Sequence, residues 1–220
     1  MRLLVSGCTV SAAAWMAKRP DRLGVLMTPR NGNRIAVAVK NATVWAGDND
    51  CFQGLHAPRF LRFVAKVLES GHKPAWVACP DVVGDSTTTL RQFDVWEPML
   101  HSLGLPVALV GQDGLEPTAV PWDRLDAFFI GGSTEWKLGD PAATLAREAH
   151  DRGKLVHVGR VNSLRRIVYF ARRMRDGQAW CDTIDGSGFS AWGDKRIHLA
   201  VRWIDKALAD RQTVMFGGQA

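Results

Sequence analysis

At 220 residues, 46% of them hydrophobic, the chain is long enough to bury a full core, and its length suits one large α/β domain. No apolar run reaches the ~18 residues that a membrane span requires. The opening Met1-Arg2-Leu3-Leu4-Val5-Ser6-Gly7-Cys8 holds too short an apolar stretch for a secretory signal, so a cytoplasmic protein with no membrane partner is expected. Cys8, Cys51, Cys79 and Cys181 are widely separated, with no CxxC pair and no Cys/His cluster, which argues against a zinc site and against a disulfide framework. The formal charge of +6 is uneven: residues 1–150 carry 15 Lys/Arg against 15 Asp/Glu, and residues 151–220 carry 13 against 7. Such a bias fits a polyanionic partner, nucleic acid above all, and equally a solvated helix face.

Apolar, β-rich runs recur at Leu23–Met27, Thr43–Ala46, Trp76–Cys79, Val107–Val110, Ala127–Ile130, Leu155–Val158 and Ala179–Ile184. Segments of helical spacing lie between most of them. Pro58–Leu68 places Phe60, Leu61, Val64, Val67 and Leu68 on one stripe, and Thr88–Leu103, Ala142–His150, Leu164–Met174 and Ile197–Leu208 repeat the pattern. Strands that alternate with helices predict a parallel sheet, because each parallel crossover needs a helix-sized connection. Seven or eight such strands, with no long glycine-rich phosphate loop after the first, favour a compact single-domain (β/α)8-like TIM barrel without a zinc subdomain; a doubly wound open sheet is the alternative. Gly71-His72-Lys73-Pro74, Gly104-Leu105-Pro106 and Arg152-Gly153-Lys154 read as the helix-to-strand turns, and Gly217-Gly218-Gln219-Ala220 as a frayed tail.

Four predicted strands end in clusters of acids, amides or glycines, and parallel strands bring their carboxyl ends to one rim, where active sites are built. Asp81 and Asp85 follow Trp76–Cys79, Gln112 follows Val107–Val110, and Gly131, Gly132, Ser133 and Glu135 follow Ala127–Ile130. The last cluster is Asp182, Asp185, Gly186, Ser187, Gly188 and Phe189, and Asp48-Asn49-Asp50 adds a fifth group after Trp45-Ala46. Separate carboxylates on one rim suit displacement at a sugar carbon: one attacks or stabilises positive charge, another manages the leaving group's proton. Asp85 and Asp185 also read as helix caps. Asp182, expected inside a strand, would bury a charge that needs compensation. Gln112 and the amides of Gly131-Gly132 could read a purine edge, with Trp45, Phe52 and Trp136 as stacking candidates.

Taken in order, these segments resemble the queuine and archaeosine tRNA-guanine transglycosylases, and more closely their smaller relatives in the deazapurine DNA modification family common in phages. The resemblance runs from about Leu23 to about Gly193 and rests on Gly47-Asp48-Asn49, Pro80-Asp81, Gly111-Gln112, Gly131-Gly132-Ser133 and Cys181-Asp182. It implies exchange of guanine in DNA for a 7-deazaguanine through a covalent Asp–deoxyribose intermediate, with no cofactor and no metal. Asp182, Asp48 and Asp185 are the implied catalytic set: Asp182 corresponds to the nucleophile, and Asp185 is the alternative for that role. Asp81, Gln112, Gly131, Gly132, Ser133 and Glu135 would bind the base. Arg160, Arg165, Arg166, Arg172, Arg173, Arg175, Lys195 and Arg196 would grip the phosphates. DNA and a 7-deazaguanine co-substrate are the implied partners, and a homodimer is left open. The tRNA enzymes add a three-cysteine, one-histidine zinc site and a basic tRNA-binding subdomain that this sequence lacks, which directs the expectation to DNA. Base exchange or hydrolysis on tRNA or free nucleosides, and a non-catalytic barrel that binds nucleic acid, are the alternatives.

Overall fold

The computed structural model describes residues 1–7, 10–31, 35–175, 180–186 and 194–216, by backbone alone at 11, 174–175, 194–195 and 210–216. Eight parallel strands close into a barrel in sequence order: β1 (Arg2–Ser6), β2 (Leu23–Met27), β3 (Trp45–Gly47), β4 (Val77–Ala78), β5 (Val107–Gly111), β6 (Ala127–Ile130), β7 (Leu155–Val158) and β8 (Thr183–Asp185). Helices α1 (Val10–Lys18), α2 (Ile35–Val39), α3 (Ala57–Glu69), α4 (Ser86–Ser102), α5 (Thr134–Leu138), α6 (Asp140–Asp151), α7 (Leu164–Arg175) and α8 (Asp194–Phe216) connect or flank them. The barrel is therefore the (β/α)8 fold expected from the alternating pattern.

Closure depends on a strand that the apolar pattern did not mark. Arg2, Leu3 and Leu4 pair with Thr183, Ile184 and Asp185, so the first strand seals the barrel against the last. The predicted strand over Ala179–Ile184 begins later, at Thr183. Ala179 lies outside the described residues, as do Ser187, Gly188, Phe189 and the 217–220 tail. Trp180 instead stacks on His150 with ring centroids 3.5 Å apart, and Cys181 is fully buried. The apolar character of this stretch thus reflects packing under the barrel.

Side-chain period sorts the strands into two cores. Leu3, Val5, Val25, Met27, Phe128, Ile130, Val156 and Val158 point outward into the layer shared with the helices. Leu4, Leu26, Ala46, Trp76, Ala78, Ala108, Val110, Ala127 and Phe129 fill the interior. The helices form where stripe and cap agree. The Asp85 carboxylate accepts the Thr88 N–H at 2.9 Å to cap α4, and His56 Nδ1 accepts the Arg59 N–H at 3.2 Å to cap α3. Gly104 turns the chain toward β5 at φ 74°, a left-handed conformation suited to glycine.

Candidate active site

The same period of two builds the site. Two residues beyond the inward Ala46, Val110, Phe129, His157 and Thr183 stand Asp48, Gln112, Gly131, Gly159 and Asp185. These positions continue the interior upward at the carboxyl ends of five strands, where TIM-barrel enzymes place their chemistry. A cavity of about 120 Å³ opens there, walled by Asp48, Asp81, Gln112, Gly131, Arg160 and Asp185. Glycine at 131 is a matter of space: a Cβ would lie 2.5 Å from Val110 Cγ1 and 2.9 Å from Gln112 Nε2.

Four carboxylates line this cavity; Asp50 is paired with Arg30 at 2.6 Å, and the other three stand in unlike environments. The Asp48 backbone N–H is anchored on the Met27 carbonyl at 2.8 Å, and its Oδ1 accepts the Asn49 N–H at 2.8 Å. Among the described residues no cation pairs with it. Desolvation, reinforced by the charges of Asp185 and Asp81, pushes the Asp48 carboxyl up to about 7. Asp81 sits between two amides: Asn49 Nδ2 donates to Oδ1 at 2.8 Å and Gln112 Nε2 to Oδ2 at 2.5 Å. Each amide is fixed at its other end, since Asn49 Oδ1 accepts the Cys51 N–H and Gln112 Oε1 the Gly84 N–H, both at 2.9 Å. Burial raises the Asp81 carboxyl above its ordinary range, although the two amides and Arg160 pull it down.

Asp185 closes the third side. Its Oδ1 accepts the Arg160 N–H at 2.9 Å and lies 3.3 Å from Nε2 of His157, a fully buried residue. That ring nitrogen has no aligned hydrogen bond, so the contact is electrostatic proximity; Nδ1, in contrast, bonds Thr183 Oγ1 at 2.9 Å. Trp76 and Phe129 hold the imidazole at ring centroid distances of 4.9 and 4.4 Å. Arg160 takes φ 59°, uncommon for a residue with a side chain, and its Nη2 donates to the carbonyls of Gly131 and Gly132 at 3.0 and 2.9 Å. The guanidinium rests 5.3 Å from the ring centre of Phe52, which is 67% exposed at the cavity mouth. Behind this wall the buried Lys137 Nζ donates to the Gly159 carbonyl at 2.6 Å, and burial, together with the positive charge of Arg160, lowers it to about 7.

Several expected site residues stand elsewhere. Asp182 precedes β8 and lies at the amino end of the barrel, opposite the cavity; its Oδ2 accepts the Val156 N–H at 2.8 Å and its Oδ1 the Trp180 Nε1–H at 3.2 Å. Those donors supply the compensation that a charge inside a strand would have lacked. The amides of Gly131 and Gly132 do not face a ligand, because both donate to the Gly111 carbonyl, at 2.9 and 3.1 Å. Ser133 caps α5 by accepting the Trp136 N–H, its own N–H bonds Asp113, and Glu135 is exposed on that helix. Asp85 is the α4 cap. Trp45 is buried between barrel and helices, and Trp136 packs over Gly111 and Gly132, so of the three stacking candidates Phe52 alone lines the cavity.

The basic set divides as well. Arg160 belongs to the cavity wall, and Arg165 and Arg166 line a separate hollow between α5 and α7. Arg172 is exposed, while Arg173 pairs with Asp140 at 2.6 Å and stacks on Tyr169. Arg196 is exposed on α8; the side chains of Arg175 and Lys195 lie outside the described residues. Sequence reading named Asn49 only within the Gly47-Asp48-Asn49-Asp50 stretch, with no role of its own, and passed over His157 and Lys137. Asn49 and His157 carried a usable signal, one as neighbour of Asp48 and the other two positions before Gly159 at the end of a strand.

No family model matches the chain, and no curated protein matches it. Solved structures do. A 4-hydroxy-2-oxoglutarate/2-dehydro-3-deoxyphosphogluconate aldolase aligns with TM-score 0.60 at 13% identity, covering 94% of each chain. A KDPGal structure aligns with TM-score 0.55 at 10% identity, over 96% of this chain and 95% of that one. A citrate lyase from Burkholderia xenovorans LB400 aligns with TM-score 0.55 at 11% identity, over 96% and 82%. At such identities the likeness is one of fold.

Proposed function

We propose that this protein is a base-exchange transglycosylase that replaces guanine in DNA with a 7-deazaguanine through a covalent Asp185–deoxyribose intermediate. The observation that carries the reading is the convergence of three carboxylates from three strand ends on a cavity of about 120 Å³, one of them, Asp48, raised to about 7 beside Asp185. The cavity is smaller than the roughly 300–1,000 Å³ of whole-ligand sites and suits a planar base whose sugar stays at the mouth.

In this reading Asp81 accepts the N1–H and N2–H of guanine on the free lone pairs of a carboxylate already oriented by Asn49 and Gln112. An Asp185 oxygen attacks C1′; the C1′–N9 pair passes to the departing base, and the neutral Asp48 carboxyl protonates it at a ring nitrogen. The Asp48 carboxylate then takes the N9 proton of the incoming 7-deazaguanine, whose N9 displaces Asp185 from C1′. Two displacements restore the original configuration, and the covalent intermediate divides the barrier. A carboxyl near 7 is suited to both proton transfers. The target base must leave the stack, at a cost of a few kcal/mol, and Phe52 at the mouth offers it an aromatic face.

Incorporation of labelled guanine into duplex DNA, single-stranded DNA, tRNA and deoxyguanosine tests the reading. Label is expected in DNA, with an Asp185–DNA adduct trapped by denaturation. Absence of label from all four substrates with folded protein would overturn it, and incorporation confined to tRNA or deoxyguanosine would remove DNA as substrate.

A further inference from the structure

A second hollow of about 450 Å³ lies outside the barrel mouth between α5 and α7, lined by Thr134, Leu138, Ser163, Arg165, Arg166 and Tyr169. Its volume falls within the roughly 300–1,000 Å³ of ligand sites. Two guanidiniums and three hydroxyls, those of Thr134, Ser163 and Tyr169, line it and no carboxylate does, so its electrostatics favour an anion. Leu138 and Tyr169 give it an apolar flank. The Tyr169 hydroxyl is spent on the Leu138 carbonyl, and Arg173 over the Tyr169 ring is neutralised by Asp140. Arg166 is part of the wall: Nη1 donates to the Arg160 carbonyl at 3.0 Å and Nη2 to Thr134 Oγ1 at 3.4 Å. Arg165 is different. It is exposed and, among the described residues, has no hydrogen bond or ion pair, so its charge is available.

The linings of the two cavities adjoin where Arg166 Nη1 donates to the Arg160 carbonyl. Thr134 follows Gly131 and Gly132, whose carbonyls hold Arg160 at the first cavity, and Ser163 follows Arg160 by three residues. We propose that the second hollow is a subsite for the nucleotide that flanks the exchanged one on the same strand. Its ring lies against Leu138 and Tyr169, and its phosphodiester charge is met by Arg165. The assignment rests on the base-exchange reading for the identity of the strand. Since the first cavity has room only for a base, sugar and phosphates must leave it at the mouth, and the Arg160 segment directs them toward this cationic hollow.

The test compares a fluorescent single-stranded trinucleotide with a central guanine against the same trinucleotide carrying uncharged methylphosphonate linkages, by anisotropy and without turnover. The parent protein should bind the charged form about tenfold more tightly, the range of one charge-assisted hydrogen bond. Arg165→Ala should abolish that preference, whereas Arg62→Ala on α3, which removes the same charge elsewhere, should keep it. Equal preference in the parent and Arg165→Ala, or no preference in the parent, overturns the subsite. A protein that discriminates linkage charge through Arg165 but exchanges no base keeps the subsite and loses the reaction. One that exchanges bases without regard to linkage charge keeps the reaction and loses the subsite.

Discussion

The two ends of this barrel contain the same kinds of side chain in opposite conditions. At the amino end the acids are compensated, whether buried as Glu97 is, half-buried as Asp182 is, or exposed as Asp126 is. Glu97 is met by Arg124 at 2.5 Å and by His101 at 2.6 Å. Asp126 accepts from the Val107 N–H at 2.8 Å and contacts His101 at 2.9 Å; although burial works the other way, these partners hold its carboxyl below the ordinary range. Asp182 is satisfied by Val156 and Trp180. At the carboxyl end Asp48 and Asp81 are both raised, chiefly by burial. Their neighbours include another acid, Asp185, and no cation pairs with Asp48 among the described residues. An acid held with its partners contributes to the fold; one held without them is strained toward protonation and available to a substrate.

The sharpest break of this comparison is the pair Asp185→Asn and Asp182→Asn. The first removes the attacking oxygen at the reactive end, and exchange should fall at least ~10³-fold with the fold intact. The second should leave exchange within a few-fold and lower unfolding free energy by about 1–3 kcal/mol, as the Val156 and Trp180 donors lose a charged acceptor. Exchange assays with urea unfolding read both; loss of exchange in a stably folded Asp182→Asn would reverse the roles of the two ends.

Asp48→Asn should cost ~10²–10⁴-fold in exchange, the usual worth of a general acid–base, and should remove the limb of the pH–rate profile near 7. It should also change the pH dependence of stability. The parent's folded state keeps the Asp48 proton up to about 7, while the unfolded chain releases it near 3.8, so this contribution is complete below 3.8 and is lost as pH rises through 7. Each unit of difference is worth about 1.4 kcal/mol. The variant should therefore gain on the parent across that window and hold a constant advantage above it; parallel stability curves would show that Asp48 is not raised.

Smaller effects sharpen the contrast. Asp81→Ala leaves the Gln112 amide and the N1–H and N2–H edge of the base without an acceptor and should weaken binding of free 7-deazaguanine by roughly 1–3 kcal/mol by calorimetry; unchanged affinity would remove Asp81 from the base pocket. Arg124→Ala should destabilise by about 1–3 kcal/mol through the buried Glu97 it abandons, with kcat unchanged. Neutralising Arg172 and Arg173 together should make the slope of log affinity against log salt shallower by at most ~0.9 for each phosphate that is no longer neutralised. Since Arg173 is already paired with Asp140 while Arg172 is exposed, a change of no more than one such unit is expected, and a slope change approaching twice that unit would place α7 against DNA.

Much of this was legible in the chain. Alternating apolar runs and amphipathic stripes required a parallel sheet with helical crossovers, because neither pattern buries its apolar face otherwise. Residues just past those runs marked Asp48, Asp81, Gln112 and Asp185. Other features had to await the tertiary structure. Asp182 and Asp185 are both acids near one short strand, and the choice between them is a matter of register: pairing with β1 places Asp185 beside the inward Leu4 at the upper end, which leaves Asp182 at the lower. A shift in strand position exchanges the ends of the barrel for such a residue, and local composition is indifferent to it. The amides of Gly131 and Gly132, free in any sequence, were consumed by a neighbouring strand's carbonyl. Side-chain chemistry is set residue by residue, but whether a buried charge or donor finds a partner depends on chain segments brought together from far apart, and that only the fold decides.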